Sequence, residues 1–414
     1  MAGTAAAGAL RDRVATLLDA RLTANRLFFE AEAERLARLC HQMAERFARG
    51  GRLVALGLSP AARTDVRHVT VEFVHPVIVG KRALPAIGLS REGGPLSEQA
   101  RLVVEPEDIA IAFGADDPDG GDEVRNALAL AKRRGCLTLA FTEAGAEWEL
   151  RPPSDDPYIR QELAETAYHV LWELVHVFFD HRGLLSGREV GPVHDTGASS
   201  FLYPFLSESE HDLEAVVEDV RRSALLKAAE VDGLRAQTLG DGEDQLLAAA
   251  DTLRRCFDGG GKLLACGNGG SATDAMDAVA DLRYPPSGRG WTQRRAIDLT
   301  EDTAIITAVG NDIGTEEIFQ RQVIAYGHAG DSLLVLSTSG NSENMIEALA
   351  EARRREMKTV ALVGYDGGRV AADDLADHLI ITRSQHIPRI QEAQASAWHV
   401  LRELIEQPAR SPAR

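Results

Sequence analysis

Leu263-Leu264-Ala265-Cys266 is a short apolar run that stops at Gly267-Asn268-Gly269-Gly270-Ser271, and a helical stretch begins near Thr273-Asp274. A strand feeding a small-residue loop and then a helix is the repeating unit of a parallel sheet covered on both faces. The helix start presents free backbone N–H groups and the positive end of its dipole, which together favour an anion. The same grammar recurs downstream. After the run Ser332–Leu336 comes Ser337-Thr338-Ser339-Gly340-Asn341-Ser342, then a helical stretch from Glu343 to Glu356. Three successive hydroxyls, with Gly340 allowing close backbone approach, can surround a monophosphate without a lysine. In an open parallel sheet such loops lie at the carboxyl ends of the strands, where ligands bind. Two of them in one sheet predict a phosphate site.

Working outward, the chain repeats itself. Gly50-Gly51-Arg52-Leu53-Val54-Ala55-Leu56-Gly57 parallels Gly260-Gly261-Lys262-Leu263-Leu264-Ala265-Cys266-Gly267. Ala167-Tyr168-His169-Val170-Leu171-Trp172-Glu173-Leu174 parallels Ala397-Trp398-His399-Val400-Leu401-Arg402-Glu403-Leu404, with Gln161 and Gln391 eight residues before each histidine. The spacing between copies is that of whole domains. Each copy opens with a helical lead-in, Asp12 to Phe47 and Glu208 to Phe257, and continues as apolar runs alternating with helical stretches. The further runs are Pro85–Gly88, Asp108–Phe113 and Cys136–Thr142 in the first copy, and Arg295–Leu299, Thr359–Val363 and His378–Thr382 in the second. The expected domains are 1–182 and 208–414, joined by a Gly/Ser/Pro-rich linker at 183–207.

Composition narrows the class. The 414 residues are 44% hydrophobic and 26% charged, ordinary for a globular protein. Lys plus Arg number 45 against 63 Asp plus Glu, a net charge of −18, and such a surface repels nucleic acid. No apolar run approaches the ~20 residues that span a bilayer, and Met1 to Ala15 lacks a signal-peptide pattern. Cys40, Cys136, Cys256 and Cys266 have no paired spacing, which fits buried thiols in a cytoplasmic protein.

The GNGGS loop followed by an aspartate, Val309-Gly310-Asn311-Asp312, and the STSGNS loop resemble the sugar isomerase (SIS) domain, and more narrowly the phosphoheptose isomerases. The resemblance runs from about Leu213 to Glu406. It implies an α/β fold of two tandem SIS domains, each a flavodoxin-like parallel sheet of five strands. It also implies a phosphosugar ligand and a four-domain assembly, here a homodimer of tandem chains. Asn268, Gly269, Gly270, Ser271, Asn311, Asp312, Ser337, Thr338, Ser339, Ser342 and Gln391 are then the substrate- and phosphate-binding residues.

The first copy contains Asp65-Val66-Arg67-His68-Val69-Thr70-Val71-Glu72, in which His68 and Glu72 share a helix face. The resemblance makes His68, Glu72, Gln161 and His169 a quartet that holds zinc, with Glu72 and His169 as the acid/base pair and no organic cofactor. A His and a Glu four apart are a reasonable half-site for zinc on chemical grounds as well. In the second copy Asp277 and Asp281 stand in the places of the His and the Glu, while Gln391 and His399 remain. Asp281 is shorter by one methylene, and a misplacement of about 1 Å costs on the order of 100-fold in rate. The first copy in turn has Gly57-Leu58-Ser59-Pro60 and Phe113-Gly114-Ala115-Asp116-Asp117-Pro118-Asp119 where the phosphate loops stand in the second. Three aspartates there would repel a phosphate.

The losses are complementary, so composite sites in a pseudo-dimer are expected. The expected reaction is aldose–ketose isomerisation of a phosphosugar, sedoheptulose 7-phosphate to the manno-configured heptose 7-phosphate. The proton moves between C1 and C2, carried by Glu72 with His169 in preference to Asp281 with His399. The alternative is a non-catalytic phosphosugar-binding or assembly protein. Aminosugar phosphate chemistry ranks last, because that branch generally lacks the DxxHxxxE helix.

Overall fold

The computed structural model describes residues 2–77, 81–90, 93–180, 184–185 and 212–407. The expected linker therefore lies outside the described residues apart from Leu184 and Leu185. The chain divides into two compact units, Ala24–Ala229 (the N-terminal unit) and Met1–Thr23 with Glu230–Arg414 (the C-terminal unit). The division falls inside two long helices, Ala2–Ala48 and Leu213–Ala236, each of which contributes to both units.

The sheet of the N-terminal unit is built from β1 (Leu53–Leu56), β2 (Ala86–Leu89), β3 (Ile109–Ala112), β4 (Leu137–Ala140) and β5 (Trp148–Glu149). The order is β2-β1-β3-β4-β5 and every pairing is parallel. In the C-terminal unit the strands are β6 (Leu263–Cys266), β7 (Ala296–Asp298), β8 (Ser332–Ser337), β9 (Lys358–Val363) and β10 (His378–Ile381). Their order, β10-β9-β8-β6-β7, is the same topology, again all parallel. This is the flavodoxin-like winding, whose ligand crevice lies where the strand order reverses. The two tandem α/β domains expected from the repeat are present. The strand runs coincide with their expected positions to within two residues at each end. β5 escaped the reading because it is two residues long and Trp148 is flanked by Glu147 and Glu149.

The strands read as unbroken apolar runs because each sheet buries both faces. Leu53, Ala55, Ile109, Ile111, Leu137 and Leu139 join the core formed with the long helices, while Val54, Leu56, Ala110, Ala112 and Ala140 pack beneath the helices Leu96–Val103 and Gly121–Arg133. The C-terminal unit alternates in the same way, with Leu263 and Ala265 in one core and Leu264 and Cys266 in the other. Successive side chains of a strand point to opposite faces, so a two-sided core demands this pattern.

Each closing helix fastens the segment that the other repeat's lead-in helix contributes to its unit. Val216, Val217, Val220, Ala224 and Ala228 enter the N-terminal core, and Lys227 ion-pairs with Glu173 of the closing helix Pro157–Asp180. In the C-terminal unit Val14 and Leu17 enter the core, and Arg13 pairs with Glu403 of the closing helix Ile387–Glu406 at 2.7 Å. Among the described residues no helix is long and apolar enough to cross a membrane, and all four cysteines are buried and free.

Candidate functional site

In the C-terminal unit the two small-residue loops follow β6 and β8, the neighbouring strands at which the order reverses. Gly269 precedes the helix Gly270–Arg283 and takes a positive φ of 58°, which its missing side chain permits. Ser271, in the first turn, is buried. The second loop is shaped by its own hydroxyls: Ser337 Oγ accepts from Gly340 N at 3.1 Å and Ser339 Oγ from Asn341 N at 3.2 Å. Thr338 and Ser342 are half-buried. Ser342 stands at the N-cap of the helix Glu343–Arg354 and makes no side-chain capping bond there. Asn268 and Asn344 exchange amide hydrogen bonds of 3.0 Å, joining the first loop to that helix. Asn311 and Asp312 sit exposed at the end of the helix Thr303–Asp312, where Asn311 Nδ2 donates to Asp312 Oδ1 at 2.7 Å.

Further along the helix Gly270–Arg283, spacings of three and four residues put Asp274, Asp277 and Asp281 on its buried face. His399 Nε2 lies 3.3 Å from Asp277 Oδ2 and 3.8 Å from Asp281 Oδ2. Trp398 Nε1 donates to Asp281 Oδ2 at 2.9 Å. Burial, with the Asp277 carboxylate beside it, pushes the Asp281 carboxyl up to about 7. A carboxyl titrating there can both accept and return a proton near neutrality. Gln391 is buried on the same closing helix. Gln394, which the motif reading passed over, donates Nε2 to the carbonyl of Ser337 at 3.3 Å and ties that helix to the second loop.

The N-terminal unit uses the same frame differently. His68 and His169 face each other with Nε2 atoms 3.3 Å apart, and Glu72 Oε1 lies 3.9 Å from His68 Nε2. All three are buried. Gln161 Nε2 reaches Thr64 Oγ1 at 3.4 Å, one turn before His68. The donor atoms of His68, Glu165 and His169 all lie within 4.8 Å of one another, as do those of Asp277, Asp281 and His399. Two imidazoles and a carboxylate suit zinc, so the N-terminal cluster fits the metal that the resemblance implies. Glu165 was missed, although a signal existed: it stands four residues before His169, on the same face of a largely apolar helix.

Where the C-terminal unit has its two small-residue loops, the N-terminal unit closes its loops on themselves. Ser59 caps the helix Pro60–Val74, accepting from Ala62 N at 3.2 Å, and donates to the Asp117 carboxylate. Arg160 ion-pairs with Asp116. Burial raises the Asp117 carboxyl above the usual range, with the Asp116 charge adding to the shift and the Ser59 hydrogen bond opposing it. This unit already holds an anion of its own at that helix start.

Sequence and fold comparisons agree with this geometry. The sequence model of the SIS domain matches residues 228–364. A protein named phosphoheptose isomerase from Nitratiruptor sp. is 46% identical over 149 residues, 35% of this chain and 76% of its own length. Another of that name, from Chlorobaculum parvum, is 41% identical over 197 residues, 47% of this chain and 88% of its own. The solved C-terminal domain of glucosamine-fructose-6-phosphate aminotransferase from Francisella tularensis covers 94% of this chain and 93% of its own, with a TM-score of 0.58 and 8% identity. That match concerns the fold alone and accounts for both sheets. With the loop pair and the histidine–carboxylate helices in place, the chain belongs to the phosphoheptose isomerase family of SIS-domain proteins.

Proposed function

We propose that the chain is a phosphosugar isomerase that interconverts sedoheptulose 7-phosphate and D-glycero-manno-heptose 7-phosphate. The observation that carries this reading is that one unit holds both the loop pair at the reversal point and a buried carboxylate–histidine pair, Asp281 with His399, 3.8 Å apart. Ser271, Thr338 and Ser342, with the adjoining backbone N–H groups, would anchor the phosphate. Remote binding of that kind holds the reacting end of an open-chain sugar in register.

Asp281 takes the proton from the carbon next to the carbonyl and returns it to the neighbouring carbon. His399 shuttles the hydroxyl and carbonyl proton. The Trp398 N–H on Asp281 Oδ2 fixes the carboxylate plane, leaving Oδ1 to meet the substrate. This assigns proton transfer to Asp281 and His399, where residue types alone had favoured Glu72 and His169. Zinc would be held by the His68–His169 cluster of the N-terminal unit, where it would supply polarisation of a carbonyl, and the proton transfer at Asp281 and His399 does not use it.

The test is turnover of sedoheptulose 7-phosphate followed by NMR, on wild type, Asp281→Asn and His68→Ala. Loss in Asp281→Asn supports the assignment. Loss in His68→Ala with Asp281→Asn still active moves proton transfer to Glu72 and His169. A wild type that binds the phosphosugar and never turns it over overturns the isomerase reading. It would leave a non-catalytic phosphosugar-binding protein, which the replacement of the family's His and Glu by Asp277 and Asp281 favours.

A further inference from the structure

The quartet implied by resemblance, His68, Glu72, Gln161 and His169, takes its carboxylate from Glu72. The structure offers another. Glu165 and His169 are i and i+4 on the closing helix, so their side chains leave the same face one turn apart. His68 reaches them from the helix Pro60–Val74. The His68 and His169 Nε2 atoms are 3.3 Å apart. A tetrahedral centre with Zn–N bonds of about 2.0–2.1 Å holds its donors roughly 3.3–3.4 Å apart, so the two rings already stand at the edge length that zinc requires. Glu165, His68 and His169 satisfy a mutual donor separation of 4.8 Å, and Glu72 is not in that set.

The other repeat supplies an internal control. The spacing that aligns His169 with His399 aligns Glu165 with Ala395, which is buried in the C-terminal closing helix. The fold therefore has no need of a carboxylate at this place. Yet Glu165 is buried, at 5% exposure, with its carboxylate beside two imidazoles.

We propose that His68, Glu165 and His169 form a zinc-class divalent cation site in the N-terminal repeat, with Glu165 as its carboxylate ligand. Glu72 then stays beside His68 without being a ligand. The proposal concerns the unit to which proton transfer is not assigned, and it does not depend on turnover.

The experiment is equilibrium dialysis of the full chain against zinc alone, with metal content measured by mass spectrometry. Cobalt(II) absorption gives a second readout of coordination. A His399→Ala background removes the second cluster from the count. The expected result is about one zinc per chain, weakened about 100-fold or more by Glu165→Ala and by Glu165→Gln, and changed less than about threefold by Glu72→Gln. Glu165→Ala installs the residue the other repeat carries, and the isosteric Glu165→Gln guards against a folding defect. Weakening by Glu72→Gln with Glu165→Gln neutral overturns the proposal in favour of the quartet. Absence of bound zinc at neutral pH overturns it outright. A wild-type chain, with His399 in place, that binds zinc and turns over no phosphosugar keeps this proposal and overturns the isomerase reading.

Discussion

The two repeats share a sheet topology, a closing helix and a histidine at the same place on it, and they differ at every point where chemistry would occur. At the loops the C-terminal unit presents hydroxyls and helix N-termini, whereas the N-terminal unit seats its own Asp117 against Ser59. Beneath the loops the C-terminal unit places Asp277 and Asp281 against His399, whereas the N-terminal unit places His68 and Glu165 against His169. In the same frame, one repeat gathers hydroxyls and carboxylates about its histidine, and the other gathers nitrogen donors. The lesson is that a parallel α/β frame fixes where side chains converge and leaves open what they do there.

The comparison breaks first at the proton carriers. Removing a general base costs ~10²–10⁴-fold, and we expect Asp281→Asn or His399→Ala to lower turnover near the upper end of that range while phosphosugar binding persists in calorimetry. An equal loss from Glu72→Gln alone would reverse the roles of the repeats.

The next effect concerns stability. Glu173 and Glu403 occupy equivalent places on the closing helices. The Lys227 partner of Glu173 is 11% exposed, whereas Glu403 is shared by Arg13, 41% exposed, and Arg289, 19% exposed. Breaking a buried pair costs about 3–5 kcal/mol, so Glu173→Gln should destabilise in that range and Glu403→Gln by clearly less. Chemical denaturation of the two variants side by side checks the ranking.

A pH effect separates the closing helices further. His176 is buried with its ring nitrogens on the carbonyls of Trp172 and Arg82. Burial, aided by the Lys81 charge, holds its pKa down to about 4. Because the unfolded chain binds this proton more readily, stability falls as pH drops from about 6.5 towards 4 and stays level below. By linkage the loss from this group is about 2 kcal/mol at pH 5. The equivalent place in the other repeat is Glu406, held by Arg402. Denaturation midpoints at pH 7 and pH 5 should therefore converge in His176→Gln relative to wild type.

The smallest effect sharpens the loop contrast. Gly340 and Gly114 both adopt φ of 64°. A methyl group on Gly340 would strike the backbone of Gly367, whereas one on Gly114 would meet the Asp117 side chain. Gly340→Ala should raise KM by about tenfold, since it misshapes the loop proposed to hold the phosphate. Gly114→Ala should leave KM unchanged. A matching rise in both variants would mean that the N-terminal loop also serves the phosphate.

Much of this molecule could be read along the chain. The strands β1 and β6 and the loops after β6 and β8 are local features, set by hydrophobic runs and turn chemistry within a dozen residues. The duplication located both closing helices and their histidines. What only the tertiary structure decided are pairings between elements far apart in sequence. Trp398 holds Asp281 across 117 residues, Lys227 reaches Glu173 across 54 and Arg13 reaches Glu403 across 390. The approach of Glu165 to His68, and the capture of Asp117 by Ser59, depend likewise on how helices and loops pack over the sheet. Periodicity tells which face of a helix is buried but not which of several carboxylates on neighbouring faces meets a given imidazole. That choice is made by crossing angles and rotamers once the core has closed.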